Sequence, residues 1–150
     1  MSDENKEIAP KRIPAIEVNE ENALNYVGAD IVAIYVAAIG ACGEHAGVKF
    51  VTRDGNVYHT NYARSISWEK LSLIFPPLRD QWEVFGGYKY VEEWCYKYLG
   101  LGNFLVVHHS IVKEFLIEVE RLEKSYADAG VNVILYSIWI EAVLSVISKF

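Results

Sequence analysis

The clearest pattern of hydrophobic and polar positions lies in residues 48–60, where two runs of β-branched and aromatic residues flank Asp54 and Gly55. An Asp-Gly pair suits a two-residue hairpin turn, because both central residues need positive φ, which Gly adopts freely and Asp tolerates. The pattern therefore predicts a β-hairpin over these residues, with its turn at Asp54 and Gly55.

Residues 31–39 form a short, continuous apolar run, which hydrophobic periodicity alone cannot assign to a strand or to a helix. The β-branched residues of this run favour a buried strand, whereas its alanines favour a helix. Residues 40–47 follow with three glycines, and they predict a loop that leads into the hairpin.

Helical periodicity is strongest after Ser110, where apolar residues recur at three- and four-residue intervals at Val112, Phe115, Val119, Leu122 and Tyr126. This spacing predicts a helix that Gly130 ends. Ser67 is placed to cap a second helix over residues 68–75, which the two prolines that follow would end. Weaker patterns predict short helices over residues 19–26 and 88–99, and another that follows the two prolines and ends at Phe85. They also predict strands over residues 104–107 and 133–136 and a helix over residues 138–147.

These elements predict a single α+β domain over residues 13–150, in which an antiparallel hairpin and small sheet pack with several helices. Residues 1–12 are polar and contain Pro10, so they are expected to form a disordered tail. The chain has 150 residues, of which 52% are hydrophobic and 13% aromatic, enough to fill the core of one domain.

The N-terminus carries no apolar stretch typical of a signal peptide, and Cys42 and Cys95 lie far apart in the sequence. Reduced thiols and a cytoplasmic location are expected. The two longest apolar runs fall short of the roughly 20 uninterrupted apolar residues that a spanning helix needs, so no membrane contact is predicted. The net charge is −6, yet residues 48–100 carry seven basic and six acidic side chains, so this third of the chain is the least acidic.

Candidate chemistry is sparse. Cys42, Glu44, His45 and His59 include metal-ligating types, but their spacing matches no established metal pattern, and a buried thiol with hydrogen-bonded imidazoles is the preferred interpretation. No catalytic residue, metal or cofactor is predicted. Two adjacent histidines follow the strand predicted over residues 104–107; because side chains alternate along a strand, one is expected in the core and the other in solvent.

Six segments occur in the order found in a known family: Asp30-Ile-Val-Ala-Ile34, residues 48–55 with Asp-Gly at the turn, residues 68–75, Phe104-Leu-Val-Val-His-His-Ser110, Ile111-Val-Lys113, and Tyr136-Ser-Ile138. Over residues 29–148 the chain thereby resembles the LytTR-type DNA-binding domain of bacterial response regulators. Val106 and His109 stand where the signature of that family has arginine.

The resemblance implies a non-enzymatic DNA-binding or transcription-regulatory domain whose partner is double-stranded DNA. Lys49, Arg53 and Arg64 around the hairpin would then contact phosphates, while His109 and Lys113 would approach bases or backbone. A homodimer is compatible with this interpretation.

The alternative is an acidic protein-interaction module, such as an immunity or adaptor protein, that binds through an aromatic surface. Tyr88, Tyr90, Tyr96 and Tyr98 are the candidates for that surface, because tyrosine buries a large area at little cost in conformational entropy. A small hydrolase or metal-dependent enzyme is a third possibility, and it would require His45, His59 and Cys42 to converge in one cleft.

Overall fold

The computed structural model of the chain describes residues 13–38, 47–61, 65–76, 80–86, 102–131 and 135–149. Within these ranges the chain forms one six-stranded mixed sheet together with helices, which confirms the predicted α+β class. The sheet order is β1-β4-β3-β2-β6-β5, and every pairing is antiparallel except that of β1 with β4. The strands are β1 (Ile16–Glu17), β2 (Ile31–Ala38), β3 (Gly47–Thr52), β4 (Val57–Thr60), β5 (Trp82–Gly86) and β6 (Gly102–His108).

The helices are a 3₁₀ turn (Ala23–Tyr26), α1 (Trp68–Ile74), α2 (His109–Asp128) and α3 (Leu135–Ile147). The predicted Ser67 cap of α1 is confirmed, because its hydroxyl accepts from the Lys70 backbone N–H at 3.3 Å. The long helix that was expected after Ser110 is also confirmed as α2. The tail predicted for residues 1–12 and the helix expected over residues 88–99 lie outside the described residues. So does the loop expected over residues 40–47, except for Gly47, which is the first residue of β3.

Two sequence predictions of element type were wrong. The short helix expected up to Phe85 is strand β5, in which Trp82 and Val84 alternate with Glu83 and so place apolar side chains on one face. Of the strand expected over residues 133–136, Leu135 and Tyr136 form the start of α3, and residues 133 and 134 lie outside the described residues. Both segments are too short for hydrophobic periodicity to separate strand from helix.

Residues 31–38 of the ambiguous run form the central strand β2, which pairs with β3 on one side and β6 on the other. Val32, Ile34 and Val36 are completely buried. A strand that is buried on both faces needs apolar residues at every position, which explains why its sequence does not alternate.

Helices cover both faces of the sheet. On one face, residues of α2 and α3 such as Phe115 and Trp139 pack on Tyr35 and Leu105; we call this the α2–α3 core. On the other face, the 3₁₀ turn and α1 cover Phe50, Tyr58 and Val106; we call this the α1 core. The chain therefore buries its sheet between two layers of helix.

The predicted hairpin is confirmed, but its turn is not the two-residue turn that was expected. The Gly55 N–H donates to the Thr52 carbonyl at 2.9 Å, and the Thr52 N–H donates to the Asn56 carbonyl at 3.0 Å. The loop therefore contains three residues, Arg53 to Gly55, and Gly55 has a φ of +93°. The Asp54 carboxylate accepts hydrogen bonds from the Thr52 hydroxyl and the Asn56 N–H inside this loop. A three-residue loop that ends on a left-handed residue is the next common hairpin type after the two-residue turns.

A buried carboxylate joins α2 to α3. Glu118 is only 5% exposed. It accepts two hydrogen bonds of 3.0 Å from the Arg121 guanidinium and one of 2.8 Å from the Ser145 hydroxyl of α3, and the Lys149 ammonium lies 3.7 Å away. The hydrogen bonds from Arg121, followed by that from Ser145 and the positive charges of Arg121 and Lys149, lower the pKa of Glu118 from its ordinary value of 4.5 to about 2.

Replacing Gly55 by Ala should destabilise the fold by about 1–2 kcal/mol, because an L side chain in the left-handed region strains the backbone. A Cβ at this position would meet nothing within 4 Å, so the loss would come from the backbone alone. Urea unfolding should show a smaller loss for Gly55→Asn, since Asn tolerates this conformation. Equal losses for the two variants would contradict the backbone explanation.

The Glu118 network predicts a pH dependence of stability. The folded chain holds this carboxyl ionised, so its contribution is complete above pH 4.5 and is lost as the pH falls from 4.5 towards 2. Because Arg121 and Lys149 are themselves 59% and 65% exposed, solvent screening should limit the contribution to about 1–3 kcal/mol.

The variant Glu118→Gln should lose about this much in urea unfolding at pH 7, and its difference from the unmodified chain should shrink between pH 4.5 and 2. Glu120→Gln provides a matched control, because Glu120 is an exposed carboxylate of the same helix. A difference that persists unchanged at pH 2 would show that the charge of Glu118 is not responsible.

Candidate functional site

An open cleft of about 570 Å³ lies at the end of the sheet where β2 begins, β6 ends and β5 begins. Because β2 and β5 both run antiparallel to β6, the starts of the first two and the end of the third meet at this end. The cleft lies on the face of the α1 core, next to the end of α1. Its lining residues are Ala29, Asp30, Ile31, Pro76, Asp80, Gln81, Trp82 and His108.

A β-bulge places Asp30 at the cleft. The register of β2 against β3 shifts between Ile31 and Ala33, so that Ile31 pairs with Thr52 and Ala33 with Val51. The contact between the two segments continues beyond the pair of Ile31 and Thr52, because the Arg53 N–H donates to the Asp30 carbonyl at 2.9 Å. The Arg53 Nε also donates to the Asp30 carboxylate at 3.0 Å, which ties the hairpin loop to the start of β2.

His108 forms the junction between β6 and α2. Its Nδ1 accepts from the Ser110 backbone N–H at 3.2 Å and lies 2.7 Å from the Ser110 hydroxyl, so its imidazole is the N-cap of α2. On the strand side, Trp82 is its cross-strand partner, and the two rings meet edge to face with centroids 5.1 Å apart.

The surroundings of His108 favour its neutral form. Burial lowers the pKa of His108 first, and the charges of His109 and Arg53 lower it further, while the Asp30 carboxylate opposes them. With Nδ1 accepting hydrogen bonds, the proton of the neutral ring sits on Nε2. Among the described residues, the acidic side chains that line the cleft are those of Asp30 and Asp80.

The contact between His108 and Ser110 has the geometry of a helix cap. In a catalytic triad, a third group orients the base through its other nitrogen. Among the described residues Asp30 acts on His108 through its charge and forms no hydrogen bond with it. The Ser110 hydroxyl and backbone N–H both point to the same nitrogen, as capping of the helix requires.

The structure brings together some of the predicted DNA-contacting residues and separates others. Arg53 and His109 lie at the cleft end, and both influence the pKa of His108. His109 is exposed, and its ring lies 3.0 Å from the Gln81 carbonyl. Lys113 is exposed one turn further along α2. Lys49 lies elsewhere, half-buried within β3 beside Tyr35 and His59, and Arg64 is outside the described residues.

Two other sequence-derived candidates meet different outcomes. The two adjacent histidines do differ in environment, because His108 is half-buried and His109 is exposed. Of the four metal-ligating types, His59 is exposed on β4, and Cys42, Glu44 and His45 are outside the described residues, as is Cys95. In the part of the chain that the structure describes, no three His, Cys, Asp or Glu side chains converge to hold a metal ion.

Sequence reasoning did not identify the cleft. Asp30 was noticed only as the first residue of a matching segment, and Trp82 was placed in a helix, which hid its pairing with His108. One signal was available: a polar residue directly before one strand and a polar residue at the end of another meet when the two strands pair antiparallel. Using it would have required knowing that β2 and β6 are neighbours.

The comparisons with known proteins identify no relative. No protein-family model, no curated protein and no solved structure matches this chain. Within the described ranges, none of the helices has both the length and the apolar content to cross a membrane.

The cap formed by His108 predicts a loss of stability on mild acidification. Because the folded chain holds His108 with a lowered pKa, the unfolded chain binds the proton more tightly, and stability should fall as the pH drops below about 6.5. His108→Asn should keep a capping acceptor and lose this pH dependence, whereas His108→Ala should cost about 1 kcal/mol at pH 7.5.

Urea unfolding at pH 7.5 and pH 5.5 measures both effects. His59→Asn is the matched control, because His59 is an exposed histidine of β4 that does not act on His108. If His108→Asn retained the full pH dependence, or if His59→Asn abolished it, the assignment to His108 would be wrong.

Proposed function

We propose that this chain is a non-enzymatic protein-binding domain and that its partner presents a basic surface. The observation that carries the proposal is the imbalance of unpaired charge on the described surface. Exposed carboxylates that form no ion pair there are Glu17, Glu21, Asp54, Glu69, Asp80, Glu83, Glu114, Glu120, Glu123 and Asp128. The exposed cations that form no ion pair on the described surface are Lys113 and Lys124.

Four further cations form ion pairs within the fold. Arg53 pairs with Asp30 at 3.0 Å, Lys70 with Glu20 at 3.6 Å, and Arg121 and Lys149 share Glu118. Three carboxylates thus compensate three of these four positive charges, while the carboxylates named above remain available to a partner.

This arrangement favours a cationic partner for physical reasons. Unpaired surface carboxylates create a negative potential that speeds the encounter with a basic protein and disfavours acidic ones. The cleft at the sheet end adds a concave region to this acidic surface, with an aromatic side chain, Trp82, in its wall. Concave sites with an aromatic wall and a few placed polar groups are typical binding sites.

A LytTR-like DNA-binding domain is the second candidate function. The observation in its favour is that Arg53, His109 and Lys113 lie at one end of the molecule, along the hairpin loop and the start of α2. Binding of DNA through phosphates depends on the number of cations that the protein presents. Arg53 is already paired with Asp30, and Asp54 and Asp80 lie exposed at the same end, which is why we place this function second.

Selection of short random peptides against the immobilised chain tests the first proposal. We expect the selected peptides to be rich in Arg and Lys, to compete with one another for one site, and to bind about tenfold more weakly at high ionic strength than at low. Selected peptides without a bias towards basic residues would contradict the proposal.

Titration with random duplex DNA at low ionic strength discriminates the second candidate. If DNA binds saturably and the variants Arg53→Gln and Lys113→Gln weaken this binding, the DNA-binding function replaces the first proposal. Lys124→Gln is the matched control, because Lys124 is an exposed, unpaired lysine of the same helix about 22 Å from the helix start. We expect no saturable DNA binding.

A further inference from the structure

The cleft at the sheet end combines negative charge with an aromatic wall. Asp30 lines it from the start of β2, Asp80 and Trp82 line it from the start of β5, and His108 closes it from the end of β6. Asp80 is exposed and forms no ion pair with a described residue. The cavity of about 570 Å³ lies within the size range of ligand clefts, so a side chain and its neighbours can enter.

Asp30 already binds a guanidinium group within the fold. Its Oδ2 accepts from the Arg53 Nε at 3.0 Å, yet the Asp30 side chain remains 67% exposed. A carboxylate has two oxygens and about four acceptor positions, so one bond from Arg53 leaves capacity for a second donor. Asp30 can therefore accept a hydrogen bond from a second guanidinium while it remains bonded to Arg53.

We propose that this cleft receives an arginine side chain of the partner protein, placed between the two carboxylates and the indole of Trp82. The inference rests on the proposed function and names the group through which the partner is recognised. Arginine fits better than lysine, because its planar guanidinium can donate two parallel hydrogen bonds to a carboxylate and stack on an indole. A cation over the face of Trp gains a further attraction, for which Trp is the best of the aromatic residues.

The experiment uses the full chain and two small probes that differ in one property. N-acetyl-argininamide carries the guanidinium, and N-acetyl-citrullinamide replaces it by a neutral urea of almost the same shape. The readout is the NMR signal of the Trp82 indole N–H, assigned by its disappearance in Trp82→Phe.

We expect N-acetyl-argininamide to shift this signal saturably and N-acetyl-citrullinamide to leave it unchanged. Asp80→Asn should weaken the binding of N-acetyl-argininamide about fivefold or more. Asp128→Asn should bind as the unmodified chain does, because Asp128 is an exposed carboxylate at the far end of α2, about 28 Å from the helix start. Since Asp80 and Asp128 are both exposed, neither substitution should disturb the fold.

Three results would overturn the inference: equal shifts with the two probes, no shift with either, or unchanged affinity in Asp80→Asn. Displacement of the arginine probe by an equal concentration of spermidine would also overturn it, by assigning the cleft to free polyamines. If the probes fail while Arg-rich peptides still bind the chain, the cleft assignment is wrong and the protein-binding function stands. If N-acetyl-argininamide binds while peptide selection yields nothing, the protein-binding function is wrong.

Discussion

The fold depends on the burial of β2 on both of its faces. Ile34 and Val36 pack in the α1 core, whereas Ala33 and Tyr35 pack in the α2–α3 core, and each of the four is at most 3% exposed. A strand of this kind cannot face water on either side, so the chain must supply helices to both faces of the sheet. The chain supplies these helices from two regions of the sequence: α1 precedes β6, and α2 and α3 follow it.

The cleft is a consequence of the same sheet. Antiparallel pairing brings the starts of β2 and β5 to the end of β6, and the residues at strand ends are the ones that the two layers of helix do not cover. Polar side chains are tolerated there because they reach solvent, and so Asp30, Asp80 and His108 gather beside Trp82. The chemistry of this end is therefore set by four residues that are distant in the sequence.

The sequence predicted features that depend on local chemistry. Ser67 caps α1 through its own hydroxyl, and the periodicity after Ser110 depends only on which positions of one helix face the core. Features that depend on distant pairing were not predictable. The assignment of residues 31–39 required the knowledge that both sides of β2 are covered, and β5 was misassigned because five residues show too few periods. The third residue of the hairpin turn was also not predicted, and Arg53 of this turn contacts Asp30, 23 positions away.

The same limit applies to the candidate site. Arg53 looked like a free cation in the sequence, whereas its charge is compensated by Asp30. The resemblance suggested residues with a positive charge or an imidazole. Of those that the structure describes, Arg53, His109 and Lys113 lie at one end of the fold, whereas Lys49 lies within β3. A linear sequence shows which charges are present; which of them neutralise one another is decided by the tertiary fold.

His108 belongs to two structural units at once, because β6 ends at this residue and α2 begins at the next, with no connecting loop between them. One edge of its ring meets Trp82 in the cleft wall, and its Nδ1 holds the first turn of the helix. Any molecule that prefers one position of this imidazole must also prefer one state of the helix start. A ligand that bound only one position of this imidazole would couple its binding to the order of the first turn of α2, and the coupling free energy would be the same in both directions.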